Sequence, residues 1–408
     1  MRDDWQYLTL GDIGKISMCK RIFKDQTSEV GDIPFYKIGT FGKEANAFIS
    51  KELYDDFRSK YSFPKTGDIL ISASGTIGRR VVYDGEPGYF QDSNIIWIDN
   101  DENQVSNEFL YHFYGYCDWN PSKGATISRL YNDDLRRITI PIPPLPEQKQ
   151  IVFILDQAFA AIDQAKVNLE RNIENAKELF QSKLNEIFSQ QGEGWEEKRL
   201  GDVCENLDSK RVPITKSKRE SGDIPYYGAS GIVDYVKDHL FEEDLLLVSE
   251  DGANLLARTY PIAFSISGKT WVNNHAHVLR FEHLESQKFI EYYLNSIKLD
   301  DYISGMAQPK LNQKKLNSIL APFPEIEIQK SVVGLIENLS VKRTSLIEAY
   351  KSKLSSLEEL KKSILQQAFS GELTKLSASG LAGLEDEQDL GVAAEPKESY
   401  NEKSVTRN

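Results

Sequence analysis

The sequence predicts an α+β protein built twice, each copy a mixed α/β globular region followed by a long helix. Three observations carry this. The stretch from Pro141 to Phe188 opens with a rigid PIPPLP run, and about forty residues without Pro or Gly follow, with apolar residues at three- and four-residue steps. The stretch then recurs: Pro322, Pro324, Gln329 and Val333 repeat Pro141, Pro143, Gln148 and Val152 at a constant offset of 181 (322 minus 141). Between the long stretches lie short apolar runs bounded by Gly, Asp, Asn and Pro, the signature of strands joined by tight turns.

The first globular region opens with Trp5 and LTLGDIGKI, the second with Trp195 and KRLGDVCEN. Here Trp5/Trp195, Leu10/Leu200, Gly11/Gly201 and Asp12/Asp202 share an offset of 190 (195 minus 5), so insertions and deletions separate this block from the later one. GDIPFYKIGT (31–40) is echoed by GDIPYYGASG (222–231). Strand-type runs follow at 67–78, 79–85 and 94–99, with counterparts at 244–258, 260–268 and 275–281. Aromatic-rich short helices are expected at 106–117 and 286–296. Strand and helix do not alternate, so a curved or barrel-like sheet is expected rather than a parallel one.

Pro146 suits the first position of the central helix, where a missing N–H costs nothing, and Glu147 places a carboxylate at the positive helix end. Its apolar stripe supplies a predicted core of Leu155, Ile162, Leu169, Ile173 and Phe180. In the second helix Ile336, Arg343, Tyr350, Leu357 and Ile364 stand seven apart, and a second seam is expected through Val332, Leu339, Leu346, Lys353 and Leu360. Its predicted core is Ile336, Leu339, Leu346, Tyr350, Leu357, Leu360 and Ile364. At 1.5 Å per residue each helix spans roughly 60 Å, longer than one such region can bury. The pattern leaves open whether the partner is the other helix, a second copy or another protein. The expected domains are 1–145, 193–328, the helices 146–192 and 329–373, and an acidic, aperiodic, disordered tail at 374–408.

Composition narrows the function. A chain of 408 residues with 40% hydrophobic and 27% charged residues reads as soluble, and no apolar run is long enough for a membrane span. The N-terminal MRDDWQYLTL lacks an apolar signal core, and the three separated cysteines form no CxxC pair, which fits a reduced cytoplasm. A net charge of −13 argues against unspecific coating of nucleic acid, so any DNA contact needs its basic residues gathered on one face.

The usual catalytic constellations are missing. SASGTIGRR (72–80) follows a strand but lacks the GK[ST] ending of a phosphate-binding loop. His275 and His277 would share a strand face, yet no third ligand stands at a familiar spacing, so no metal site is assigned. No methyl-donor loop is present. DNA recognition, by contrast, needs Arg and Lys for phosphate and guanine, and Asn and Gln for adenine. Candidate contacts are Lys37, Lys43, Ser74, Thr76, Arg79, Arg80 and Arg129 in the first half. In the second they are Lys210, Arg211, Lys216, Lys218, Arg219, Tyr227, Arg258, Asn274, His275 and Lys310.

Over residues 5–373 the chain resembles the specificity subunit of type I restriction-modification systems. The resemblance rests on PIPPLPEQKQIVFILD, the closing SLEELKKSILQQAFSGELT, the W-x4-LGD openings and IPYYGASGIVDYV. It implies two target-recognition domains, each reading one half of a split double-stranded DNA target, held apart by two helices packed as an antiparallel coiled coil. It implies two methylation subunits that use S-adenosylmethionine, restriction subunits for translocation and cleavage, and no active site or cofactor in this chain. The middles of the two halves have drifted apart, so no base-reading residue is carried over from the family. An orphan subunit guiding methylation alone, and a coiled-coil scaffold that binds no DNA, remain open readings.

Overall fold

The fold is that of a computed structural model, which describes residues 4–119, 122–123, 128–190, 192, 194–305 and 308–375. The tail beyond 375, expected to be disordered, lies outside the described residues. The chain divides into two compact units, residues 1–166 with 355–408, and residues 167–354.

In the first unit an antiparallel sheet runs in the order Gly14–Ser17, Ile95–Asn100, Ile69–Ser72, Arg80–Val82. A second sheet, Phe48–Ile49, Ile33–Tyr36, Tyr89–Phe90, contains one parallel pair. The run ILIS is buried throughout because both of its faces are covered. Ile69 and Ile71 enter the core shared with the long helices, whereas Leu70 points into the core of the second sheet with Phe35, Tyr89 and Trp97. That is the period-two alternation of a strand sandwiched on both sides.

The second unit repeats the scheme: Glu205–Asn206, Ala276–Arg280, Leu245–Ser249, Ala263–Ile266, then a sheet of Gly231–Val236, Ser221–Gly228, Lys269–Val272 and Phe241–Glu242. Leu246 and Val248 face the helix side while Leu245 and Leu247 face the second sheet. The repeat register is visible in the backbone. Asn132–Arg136 and Gln313–Asn317 are helices, and Thr139–Ile142 and Leu320–Pro322 are strands, each pair starting 181 residues apart (313 minus 132, 320 minus 139). Each of these strands pairs with the opening strand of its own half, Gln6–Thr9 or Glu197–Arg199, which closes the globular region before the long helix leaves it.

The long helices are Leu145–Ser189 and Ile326–Ser370, both 45 residues. Gln148 and Gln329 tie their first turns down: each is fully buried and donates from Nε2 to the carbonyl five residues back, Pro143 at 2.9 Å and Pro324 at 2.6 Å. Their ends dock on aromatic clusters. Phe188 stacks edge-on against Phe289 and Tyr293 of helix Leu284–Ser296 in the second unit. Phe369 does the same with Phe109 and Phe113 of helix Asn107–Tyr114 in the first.

Within each unit the two helices pack antiparallel. In the first, Lys166 pairs with Glu358, and Lys361 reaches Asp163 at 3.4 Å and lies 4.6 Å over the Phe159 ring. In the second, Arg343 lies 4.2 Å over Phe180. Leu155, Ile162 and Ile336 are buried, and Leu169, Ile173, Phe180, Leu339, Tyr350, Leu357 and Ile364 are half-buried. One predicted seam needs correction. Leu346 and Leu360 are 44% and 47% exposed, and the inner positions are instead Ser340, Ile347, Leu354, Lys361 and Ala368. The seam runs four residues after each of Ile336, Arg343, Tyr350, Leu357 and Ile364, not three. Lys361 on this seam and Arg343 on the first fit because their cations stack on aromatic rings of the facing helix while their stems cover apolar surface.

Candidate nucleic-acid interface

At the end of strand Ile69–Ser72 the chain enters a loop built on a polar frame. Ser72 Oγ donates to the Thr76 carbonyl at 2.5 Å and accepts from the Arg79 amide at 2.9 Å, which folds 72–79 into a compact turn. Gly75 and Gly78 have φ of +67° and +80°, the left-handed region where a side chain is strained. The Ala73 amide donates to the Asn94 carbonyl at 2.8 Å and its own carbonyl accepts from the Leu130 amide at 2.9 Å. Ser74 Oγ donates to Asn94 Oδ1 at 2.7 Å, and Ser74 bridges Arg129 through the backbone. Neighbouring loops join: the Ile38 amide donates to Gln91 Oε1, Arg129 donates to the Ser93 carbonyl, and Arg21 pairs with Asp92 at 2.9 Å.

The second unit has the same frame. Strand Leu245–Ser249 ends in a loop where the Glu250 amide donates to the His275 carbonyl at 2.9 Å and the Glu250 carbonyl accepts from Leu311 at 2.8 Å. Asp251 bridges Lys310 as Ser74 bridges Arg129, and Gly252 has φ of +107° where Gly75 has +67°. Ser249 Oγ donates to the Ala229 carbonyl, joining this loop to the hairpin turn at 228–231.

The candidate contacts fall into two groups. Thr76, Lys43, Lys210, Lys216, Lys218, Asn274, His275 and Lys310 are exposed, and Lys37 and Tyr227 are half-buried. Lys37 Nζ lies 5.9 Å over the Phe35 ring, and Lys310 Nζ is 3.1 Å from Glu250. The others have internal partners. Ser74 is 9% exposed and spends its hydroxyl on Asn94. Arg79 donates to the Phe41 carbonyl, Arg80 lies 4.5 Å over Tyr111, and Arg129 is held by Ser93. Arg219 bonds Asp234 at 2.8 Å and lies 4.3 Å over Tyr226, and the ion pair holds it more firmly protonated than usual.

Two readings are corrected outright. Arg258 donates to the carbonyls of Leu294 and Ile297, satisfying the C-terminal end of helix Leu284–Ser296, and burial lowers its pKa. Arg211 sits between Glu250 at 2.7 Å and Asp208 at 3.5 Å, with its side chain only 12% exposed. Neither guanidinium is a free donor for DNA. His275 and His277 also differ from expectation. The strand begins at Ala276, so alternation does not apply across the pair. His277 is buried, with Nδ1 on Asp208 and Nε2 on the Leu311 carbonyl, while His275 is exposed and contacts Asp251.

Asp208, Glu250 and His277 bring possible ligand atoms together. Arg211 already supplies a cation there, so the cluster is a buried ion-pair network that fixes the base of the loop. Burial works to raise both carboxyls. Burial is the largest single influence at each, but at Asp208 it is outweighed by His277, the Val278 amide and Arg211 acting together, and at Glu250 by Arg211, His277 and Lys310 acting together, leaving both below the usual carboxylate range. Sequence reasoning passed over Asn94 and Asp251. The clue was available for the first, because Asn94 and His275 keep the 181 offset (275 minus 94).

Comparison with known proteins gives one family. The family described as "Type I restriction modification DNA specificity domain" matches residues 2–175 and 192–356. A type I restriction enzyme specificity subunit of Haemophilus influenzae is 56% identical over 174 residues, covering 43% of this chain and 45% of that protein. The MjaX specificity subunit of Methanocaldococcus jannaschii is 22% identical over 91% of this chain and 94% of its own length. The EcoprrI specificity subunit of Escherichia coli is 24% identical over 80% of this chain and 84% of its own length. Among solved structures, one of a study of complex assembly and conformational transition in a type I system shares the fold with a TM-score of 0.69 at 17% identity, covering 91% of this chain and 99% of that one. The HsdS subunit of Thermoanaerobacter tengcongensis gives 0.57 at 18% identity over 91% of this chain and 98% of that one.

Proposed function

The chain belongs to the type I restriction-modification DNA specificity family, a non-catalytic component, and from that premise we propose that each globular half reads one half of a bipartite DNA target. The observation that carries this is the twice-built loop frame. Its backbone bonds are kept in both units while the side chains along it are exchanged, Ser74 and Asn94 in one, Asp251 and His275 in the other. A kept frame with exchanged tips is what two readers of different half-sites require.

Type I specificity subunits work with methylation and restriction subunits. For this chain, two methylation subunits carry S-adenosylmethionine-dependent transfer to adenine. Support for the number two comes from the helices: Leu179 and Leu360 stand 181 apart (360 minus 179) and are 62% and 47% exposed, one apolar position per unit for two copies of one partner. Among the described residues no helix is long and apolar enough to cross a membrane. Work on DNA supports a cytoplasmic location for the complex.

Reconstitution tests the reading. Methylation subunits supplied with this chain should methylate a defined split sequence in host DNA, and should not do so without it. The chain alone should neither methylate nor cut. Methyl transfer that tracks the purified chain by itself would overturn the assignment.

A further inference from the structure

The loop frame places one side-chain pair at equivalent positions in the two units. Asn94 and His275 keep the 181 offset (275 minus 94), as do Arg129 and Lys310 (310 minus 129). Ser74 and Asp251 each form the backbone bridge to that basic residue. In the first unit the pair is Ser74–Asn94, neutral, with Ser74 9% exposed. In the second it is Asp251–His275. The carboxylate meets Nδ1 at 2.9 and 3.0 Å through its two oxygens, with side chains 35% and 52% exposed. Exposed Asn274 and Lys310 are its neighbours in chain and bridge.

An ionised carboxylate on a surface that meets DNA repels phosphate, so its favourable place is opposite a hydrogen-bond donor. In the major groove the exposed base donors are the exocyclic amines, N4 of cytosine and N6 of adenine. A carboxylate only accepts, so in its neutral form His275 carries the proton on Nδ1, which leaves Nε2 as the ring's acceptor. Both atoms then ask for a donor. The hydrogen bond between them holds the pair in one orientation, and the buried network of Arg211, Asp208, Glu250 and His277 holds the loop beneath it.

We infer that Asp251 and His275 read base edges in the half-site of the second unit, the Asp251 carboxylate accepting from the exocyclic amine of a cytosine or adenine. This rests on the reading of the chain as a DNA specificity subunit. It adds which residues discriminate and what they recognise.

The test uses the full chain assembled with its methylation subunits, acting on duplexes with each half-site randomised. Wild type, Asp251→Asn and His275→Gln are compared by sequencing the methylated products. Wild type should select a split motif. Asp251→Asn should reduce discrimination at one C·G or A·T pair by roughly 5- to 150-fold, the range of one good base contact, with the other half-site unchanged. His275→Gln should act at the same or the adjacent pair. The position affected distinguishes cytosine from adenine. Unchanged preferences at every position would overturn the inference, and so would an equal loss on all targets, which marks a phosphate contact or a damaged fold. A wild-type complex with no split motif would overturn the underlying reading as well.

Discussion

Gln148 and Gln329 allow a matched experiment on how the long helices are anchored. Both are buried, in the first turn of their helices, and 181 residues apart (329 minus 148). Substitution by alanine removes the same volume at each, so the packing cost is common to both. The polar cost differs. Gln148 makes three bonds: Nε2 to the carbonyls of Gln104 at 2.7 Å and Pro143 at 2.9 Å, and Oε1 from the Ser106 amide at 2.9 Å. Gln329 donates to Pro324, and its Oε1 is buried with no partner among the described residues. At about 1 kcal/mol for each buried partner left unpaired, Gln148→Ala loses about 3 kcal/mol of polar stabilisation. Gln329→Ala loses about 1 kcal/mol and removes an unpaired acceptor of similar cost, leaving the polar terms near balance. The opening equilibrium of the first unit should therefore rise about 100-fold more than that of the second. Amide hydrogen exchange read separately in 107–114 and 284–296 of the full chain measures both. Equal effects, or a larger effect at Gln329, would refute the reasoning.

Further outcomes follow from the loops and the buried histidine. Gly78→Ala puts a Cβ 2.2 Å from Trp119 Nε1 at a φ of +80°, so Trp119 should be displaced and the first unit weakened by at least about 1 kcal/mol; unchanged tryptophan fluorescence and melting would contradict this. His112 is buried beside Phe159 with Nε2 on Asp156 at 2.9 Å, and burial lowers its pKa against the pull of Asp156, with Arg80 and Lys361 adding to the lowering. The unfolded chain, at about 6.5, takes the proton first, so this contribution is present above about pH 6.5 and is lost as pH falls through the lower folded value. His112→Gln should flatten the dependence of first-unit stability on pH, and a curve as steep as wild type would contradict the assignment. In the assembled complex, Lys216→Ala and Lys218→Ala should each reduce the slope of log affinity against log salt by about 1 without changing the motif; a relaxed motif would mean that these lysines read bases.

The long helices were legible because their period, their freedom from Pro and Gly and their duplication all agree. The strands Ile69–Ser72 and Leu245–Ser249 were legible through length and bounding residues, since burial on both faces leaves no polar alternation to read. The second seam was misread because Leu346 and Leu360 look like core, whereas Lys361, like Arg343 on the first seam, looks like surface. Only the facing helix, with Phe180 and Phe159, makes the cations favourable at the seam. The same applies to the candidate interface. Arg211 and Arg258 look like contact residues until Glu250 and the Leu294 carbonyl, 39 and 36 residues away, claim them. Periodicity carries no information about such partners.

The central claim is that sequence choice is divided between the two halves. Its most direct measurement exchanges residues 1–145 for the corresponding part of a relative with a different target. Methylated motifs are then called genome-wide by long-read sequencing of a host carrying the matching methylation subunits. The account predicts that one half of the split motif changes to that of the donor while the half read by 193–328 is kept. A change in both halves, or in neither, would contradict it.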